Sequence, residues 1–241
     1  MASGFAPALI EALLELVSPT RCAGCELPGP LLCGACRGVL PRIDRLAACR
    51  RCGAPGLAGR PCRECSGRAF AFAAARAFGS LAHPLSRVVA VHKDGGEARL
   101  APVLADLLAE AAGEWIGWAQ MLVPLPASPA ALLRRGRDHM VDVACALEGL
   151  GGPPAVSALA RSGGADQRRL GREERGRNLL GAMRIESSSP RMPDRVLLVD
   201  DVLTTGASAD AAARVLLDAG ALEVRCLVLA RAHEPPHRPG T

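Results

Sequence analysis

From residue 70 onward the apolar positions switch repeatedly between two spacings. Residues 70–78 (FAFAAARAF), 120–124, 156–160, 182–185, 196–199 and 224–230 are short, dense apolar runs, which predict strands. Residues 84–92, 98–112, 127–133, 140–150 and 207–219 carry apolar residues three and four apart, which predicts helices with one buried face. Leu100, Leu104, Leu107 and Leu108 are the clearest such set, and Gly220 closes the last helix. This alternation predicts an α/β fold with a mainly parallel twisted sheet and helices on both faces. Ligands of such sheets bind at the carboxyl ends of the strands.

Residues 5–17 (FAPALIEALLELV) predict an amphipathic helix, with Leu9, Leu13, Leu16 and Val17 near one face. With Glu11 and Glu15 inside it, this stretch is too short and too charged to span a bilayer. It has neither a basic start nor a convincing cleavage pattern, so a cytoplasmic protein without membrane insertion is expected.

The stretch from 21 to 68 follows neither spacing. It holds eight of the ten cysteines, as four Cys-x-x-Cys pairs: Cys22/Cys25, Cys33/Cys36, Cys49/Cys52 and Cys62/Cys65. A two-residue gap turns both sulfurs of a knuckle toward one tetrahedral ion, and two knuckles complete four thiolates. Gly24, Gly34 and Gly53 supply backbone freedom for such turns. Disulfides would need an oxidising compartment, a thioredoxin-like pair would need one motif in a βαβ setting, and an iron–sulfur cluster would accept the same ligands. The even pattern favours two structural zinc ions. Residues 1–70 hold nine arginines and five acids, and eight thiolates with two Zn²⁺ bring that charge to about zero. Sequential pairing, 22/25 with 33/36 and 49/52 with 62/65, is favoured over interleaved pairing. Such ribbons bury few apolar residues, depend on metal, and usually contact another macromolecule or domain. Cys145 and Cys226 lie in apolar stretches and are expected to be core thiols. His83, His92, His233 and His237 show no ligand spacing and are expected to be structural or on the surface.

Composition adds little. Hydrophobic residues make up 49% and aromatics only 2%, so the core must be built of Leu, Val and Ala. The net charge of +5 permits anionic partners without demanding them. All basic residues but Lys93 are arginine, a bias that a GC-rich genome produces. It still singles out Lys93, because ammonium and guanidinium are not interchangeable.

The sharpest chemical signal is RVLLVDDVLTTGAS at 195–208. Adjacent carboxylates at a strand end point to opposite sides and repel unless something positive or polyhydroxylated is shared. Beyond Asp200 and Asp201, Thr204, Thr205, Gly206, Ala207 and Ser208 form a turn opening a helix, whose N–H groups and dipole make an anion site. Carboxylates for vicinal hydroxyls beside a phosphate nest suit a ribose 5-phosphate. A Walker-B strand also ends in acids, but no GxxxxGK[ST] loop is present. A receiver domain carries its acid pair near its start, and a purely structural, helix-capping pair is the remaining alternative.

The stretch VLLVDDVLTTGAS resembles the phosphoribosyl-pyrophosphate (PRPP) motif of type I phosphoribosyltransferases. Four Cys-x-x-Cys pairs ahead of it, with LVSPTRCAGC, VPLPAS, LLRRGRDH and DQRRLGREERGRNLLGAM in order, are similar to the competence protein F (ComF/GntX-like) family. The resemblance implies a small zinc-ribbon module before a sheet of the type I phosphoribosyltransferase type. It implies that Asp200 and Asp201 hold the ribose hydroxyls and that Thr204, Thr205, Gly206, Ala207 and Ser208 hold the 5′-phosphate. It makes 123–128, with Pro124 and Leu125, the pyrophosphate-side loop. Residues 161–178, with Gln167, Leu170, Arg175 and Asn178, become a mobile lid. Lys93, Arg135 and Arg137 become further anion contacts. One departure stands out: Asp138-His139 replaces the family's Asn-Gln pair, which puts the role of those amides in question.

The expected organisation is an N-terminal helix (1–20), a double zinc ribbon (21–68), a phosphoribosyltransferase-like domain (69–235) and a disordered tail (236–241). No base-recognition pattern is legible around 70–100. Three functions follow: a PRPP site that uses Mg²⁺ if it is an active transferase, a single-stranded-DNA handling protein with a competence helicase partner, or a zinc-ribbon adaptor with a degenerate pocket. Stacking-based DNA binding has only Trp115, Trp118 and the phenylalanines to draw on.

Overall fold

The computed structural model describes residues 19–56, 62–161 and 183–233. The predicted N-terminal helix, the lid with Gln167, Leu170, Arg175 and Asn178, His237 and the tail lie outside the described residues.

Among its described residues, the Cys-rich part contains one short helix, α1 (Gly34–Gly38). The rest runs β1 (Ala74–Ser80), α2 (Leu85–Lys93), a 3₁₀ turn (Ala98–Leu100), α3 (Ala101–Ala112), α4 (Trp115–Trp118), β2 (Met121–Pro124), α5 (Pro129–Arg135), α6 (His139–Gly149), β3 (Leu159–Arg161), β4 (Met183–Ile185), β5 (Arg195–Leu203), α7 (Ala207–Asp218) and β6 (Glu223–Arg231). The main sheet has the order β1-β6-β5-β2, with every pairing parallel. The two short strands that flank the charged loop pair with each other, antiparallel, as a separate ribbon.

Strand alternation divides the core in two. Leu122, Leu197, Val199, Leu227 and Leu229 pack with α2, α3 and α6, built on Leu85, Leu104, Leu108, Met140 and Leu147. Val123, Val196, Leu198, Cys226 and Val228 face α7, whose buried stripe is Ala209, Ala212, Ala213 and Leu216. Nearly every core position is aliphatic, as the scarcity of aromatics requires. The chain leaves β2 over the first face and leaves β5 over the second, so a crevice opens between these neighbouring strands at their carboxyl ends.

The carboxyl end of β5 differs from expectation. The strand does not stop at Val199; it stays in register with β6 through Leu203, opposite Arg231. Only β2 stops, at Pro124 opposite Val199. Asp200 and Asp201 therefore sit inside a strand that is supported on one side and open on the other. β1 also starts later than the apolar run: Phe70 and Phe72 stack on each other with centroids 4.6 Å apart, and the Ala71 N–H donates to the Asp210 carboxylate. The four-residue helix α4 is too short for periodicity to reveal. Cys145 is exposed on α6, contrary to its expected place in the core, while Cys226 is buried.

The Cys-rich part lies along the outer edge of β1. Ile43 N–H donates to Phe78 O at 2.9 Å, and Ser80 N–H to Pro41 O at 2.8 Å, which covers an otherwise open sheet edge. Among the described residues, no helix is long and apolar enough to cross a membrane.

Candidate functional site

A cavity of about 340 Å³ fills the crevice between β2 and β5, within the size range of small-ligand sites. Lys93, Leu125, Arg135, Asp200, Asp201 and every residue from Thr204 to Ser208 line it, together with Pro126–Ser128, His139 and Arg161. The sequence-predicted residues thus converge from four segments. Pro124 is buried in β2, one residue short of the wall. Arg137 turns away: it donates to His92 O at 2.9 Å and pairs with Asp142.

The two acids have opposite environments. Asp201 is 4% exposed and faces α2 and α6. Its Oδ2 lies 2.7 Å from both Lys93 Nζ and His139 Nε2. Burial works to raise its pKa, but the His139 hydrogen bond and the Lys93 charge outweigh burial and hold it at about 2. Asp200 points to the other face, with its Oδ1 accepting the Asp201 N–H at 2.8 Å. Burial and the Asp201 charge push its carboxyl well above the ordinary value. The repulsion anticipated for this pair is met by pairing one acid and holding the other toward its protonated form.

A prediction follows for Asp200. Because its folded-state pKa is raised, its ionisation weakens the fold as pH rises and costs nothing below the unfolded value. Asp200→Asn keeps the Oδ1 acceptor and removes the charge. It is expected to raise stability at pH 7 by about 1 kcal/mol, or ~2–4 °C in Tm, with the gain vanishing below about pH 4. Thermal denaturation at both pH values checks this.

His139 lines the cavity without having been expected there, and the Asp138-His139 pair, set against the Asn-Gln of the family that the sequence resembles, is the one signal that pointed to it. It opens α6, capped by Asp138, whose Oδ1 accepts from Met140 N–H at 3.2 Å. The other Asp138 oxygen accepts from Ala127 N–H at 2.8 Å and so ties α6 to the loop after β2. An acceptor oxygen is all these bonds need, and a carboxylate supplies it as well as an amide. Arg135 NH1 lies 2.9 Å from His139 Nδ1. Guanidinium only donates, so Nδ1 accepts and Nε2 carries the proton shared with Asp201. His92, beside His139, is buried, and burial with the nearby Arg137 charge lowers its pKa to about 4.

Beyond the acids, Gly206 adopts φ +81 and leads into α7, which has no side-chain cap. The Ala207 N–H donates to Thr205 Oγ1 at 3.4 Å, and the remaining N-terminal N–H groups and the dipole stand beside the exposed residues Thr204 and Thr205. On the opposite wall, α5 starts at Ser128-Pro129 and ends at left-handed Gly136, which aims Arg135 inward. Among the described residues, the Nε groups of Arg135 and Arg161 are buried without a hydrogen-bond partner, and Arg135 Nε lies 3.8 Å from the Asp94 carboxylate. The cavity thus has an acid pair at its floor, an N–H and hydroxyl turn at one end and guanidinium donors at the other.

The cysteines form two tetrads, Cys22/Cys25/Cys33/Cys36 and Cys49/Cys52/Cys62/Cys65, with ligand atoms in each within 4.8 Å of one another. The pairing is sequential. Sulfurs of Cys25 and Cys33, and of Cys49 and Cys65, lie 3.8 Å apart, and those of Cys52 and Cys62 3.6 Å apart. A disulfide is far shorter. Four thiolates around zinc at ~2.3 Å have tetrahedral edges of about 3.8 Å. Burial raises the Cys22 pKa, but N–H donors from Cys33, Cys25 and Gly24 pull it down to about 6. Burial and neighbouring sulfurs push Cys36 up to about 12 and Cys65 higher still. Sulfurs this close do not all ionise unless a cation is shared, so the donor set fits a structural zinc ion in each tetrad.

A family model described as "Phosphoribosyl transferase domain" matches residues 182–239, the stretch that holds β5, the acid pair, the turn and α7. No curated protein matches the chain. Among solved structures, the chain is similar to an allosteric regulatory enzyme of purine biosynthesis, with 22% identity over 57% of this chain and TM-score 0.34. It spans only 26% of that enzyme. It is similar to a Trypanosoma cruzi hypoxanthine phosphoribosyl transferase at 14% identity, covering 60% of this chain and 69% of that one, with TM-score 0.34. The orotate phosphoribosyltransferase from Aeropyrum pernix matches at 19% identity over 56% and 73%, with TM-score 0.33.

Proposed function

We propose that the cavity binds a ribose 5-phosphate unit, presented as PRPP with Mg²⁺, and that the chain is a phosphoribosyltransferase-like protein with two structural zinc sites. The observation that carries this reading is the acid pair beside an uncapped helix N-terminus at the crevice of a parallel sheet. Asp200 and Asp201 accept from the 2′- and 3′-hydroxyls. The Thr204–Ser208 turn takes the 5′-phosphate on its N–H groups and hydroxyls. Arg135, Arg161 and the loop after β2 line the side that would take the pyrophosphate. Bound Mg²⁺ would neutralise the pyrophosphate charge as it leaves. The lid segment with Gln167 and Arg175 is part of the same proposal, as is the division at about residue 68.

The likeness to the ComF family extends the reading to single-stranded DNA handled in competence-type uptake, with the pocket on a terminal sugar phosphate and a helicase as partner. The alternative is an active phosphoribosyltransferase acting on an unidentified base or small-molecule acceptor. Calorimetric titration with PRPP and Mg²⁺, alone and in competition with a short single-stranded oligonucleotide, separates them. Competition supports the DNA reading, and PRPP binding indifferent to DNA supports the transferase. If neither ligand binds, both readings fall.

A further inference from the structure

We infer that Arg231 is a positioning residue that ties the phosphate turn to the second cysteine tetrad, so that metal held there sets the affinity for sugar phosphate. The inference rests on the turn at 204–208 being the phosphate site.

Arg231 ends β6 and is 3% exposed. A buried guanidinium must spend its donors on fixed acceptors. It spends them on two structures at once. NH1 donates to Leu203 O at 3.1 Å and Thr204 O at 2.8 Å, where β5 becomes the turn, and also to Ala232 O beside it. Nε donates to Cys52 O at 3.0 Å, and NH2 lies 3.6 Å from the Glu64 carboxylate. Cys52 and Glu64 belong to the two knuckles of the second tetrad. The planar fork of arginine spans both sides, which a single ammonium does not.

The linker after the tetrad adds independent contacts. Arg68 NH1 donates to Thr205 O at 2.9 Å. Phe70 packs against Cys52, Ala54 and Cys65 on one side. On the other it lies so close to Gly206 that an added Cβ would come within 3.0 Å of the ring. The carbonyls held in this way, at 203, 204 and 205, lie where β5 enters the turn, and Leu203 O accepts the Ala232 N–H as well. Holding them on the tetrad side orients the turn that presents its N–H groups to the cavity. The acceptors at Cys52 and Glu64 exist only while the knuckles are folded, and knuckles of this kind fold around their metal.

The first tetrad provides an internal contrast. Its own docking arginine, Arg87, donates to Ala23 O and pairs with Glu26 from α2, on the face away from the turn.

The test compares Arg231→Lys, Arg87→Lys and Cys65→Ser in the full chain. The readouts are zinc content, amide hydrogen exchange over 204–208 without ligand, and calorimetric binding of ribose 5-phosphate. Arg231→Lys is expected to keep both metals, speed exchange in the turn and weaken binding about tenfold. Cys65→Ser is expected to lose one metal with the same two effects, and Arg87→Lys to change neither. Unchanged turn exchange in Arg231→Lys overturns the inference, and so does an equal effect from Arg87→Lys. If the wild type does not bind ribose 5-phosphate while turn exchange follows Arg231, the coupling stands and the assignment of the phosphate site fails.

Discussion

Asp201→Asn is expected to destabilise the protein by about 3 kcal/mol at pH 7 and to weaken ribose 5-phosphate binding at least ~100-fold. The carboxylate is almost fully buried and takes both an ammonium and an imidazole N–H on one oxygen. Asparagine keeps the shape but removes the charge that holds Lys93, and its amide nitrogen meets one of two donors. Breaking a buried pair by neutralising one member costs more than the pair contributes net. The pKa agrees in size: a fall from 3.8 to about 2 corresponds to ~2–3 kcal/mol. Because the folded-state value is depressed, that stability is present above pH 4 and is lost as pH falls toward 2. Wild type and variant should therefore differ by ~6–12 °C in Tm at pH 7 and converge near pH 2. The isosteric change next door, Asp200→Asn, is expected to have the opposite sign at neutral pH. A shared sign for the two variants would refute the division of roles.

Stripping metal is expected to have the other large effect. A structural zinc ion contributes about 10–16 kcal/mol to the module that it folds. Whole domains are stable by only ~5–15 kcal/mol. A strong chelator should release two zinc ions per chain and unfold the segment that carries the tetrads. That segment covers β1 through the bonds at Ile43 and Ser80, so its loss opens a sheet edge to pairing between chains. Metal release measured by a colorimetric indicator should track loss of exchange protection in β1 and a rise in light scattering. Reductant alone should do nothing, since none of the cysteines is in a disulfide. A chelated chain that keeps its β1 protection would show that the tetrads do not hold this module.

Local pattern revealed most of this architecture. Helices α2, α3, α6 and α7 each bury one mainly apolar face, and a period of that kind survives in any tertiary setting. The tetrads were legible because the ligands of each are close in sequence, which makes sequential pairing the shorter closure. The acid pair and the turn were legible because their chemistry is local too. What escaped were interactions made across the fold. Nothing near Lys93 or His139 announces that both meet Asp201; that follows from α2 and α6 lying on one face of β5. Arg231 lies just beyond the apolar run at 224–230, and nothing in that run announces that it joins the second tetrad to the turn. Phe70 and Phe72 have the spacing of a strand, but the Phe70 ring packs between the tetrad and the turn while Phe72 is buried in the core on the α7 side.

The most direct test of the central claim is a crystal structure of the wild-type chain with ribose 5-phosphate. The account predicts the phosphate against the N–H groups and hydroxyls of 204–208, with the 2′- and 3′-hydroxyls on Asp200 and Asp201. A sugar phosphate found elsewhere, or turned so that its hydroxyls miss both acids, would contradict it.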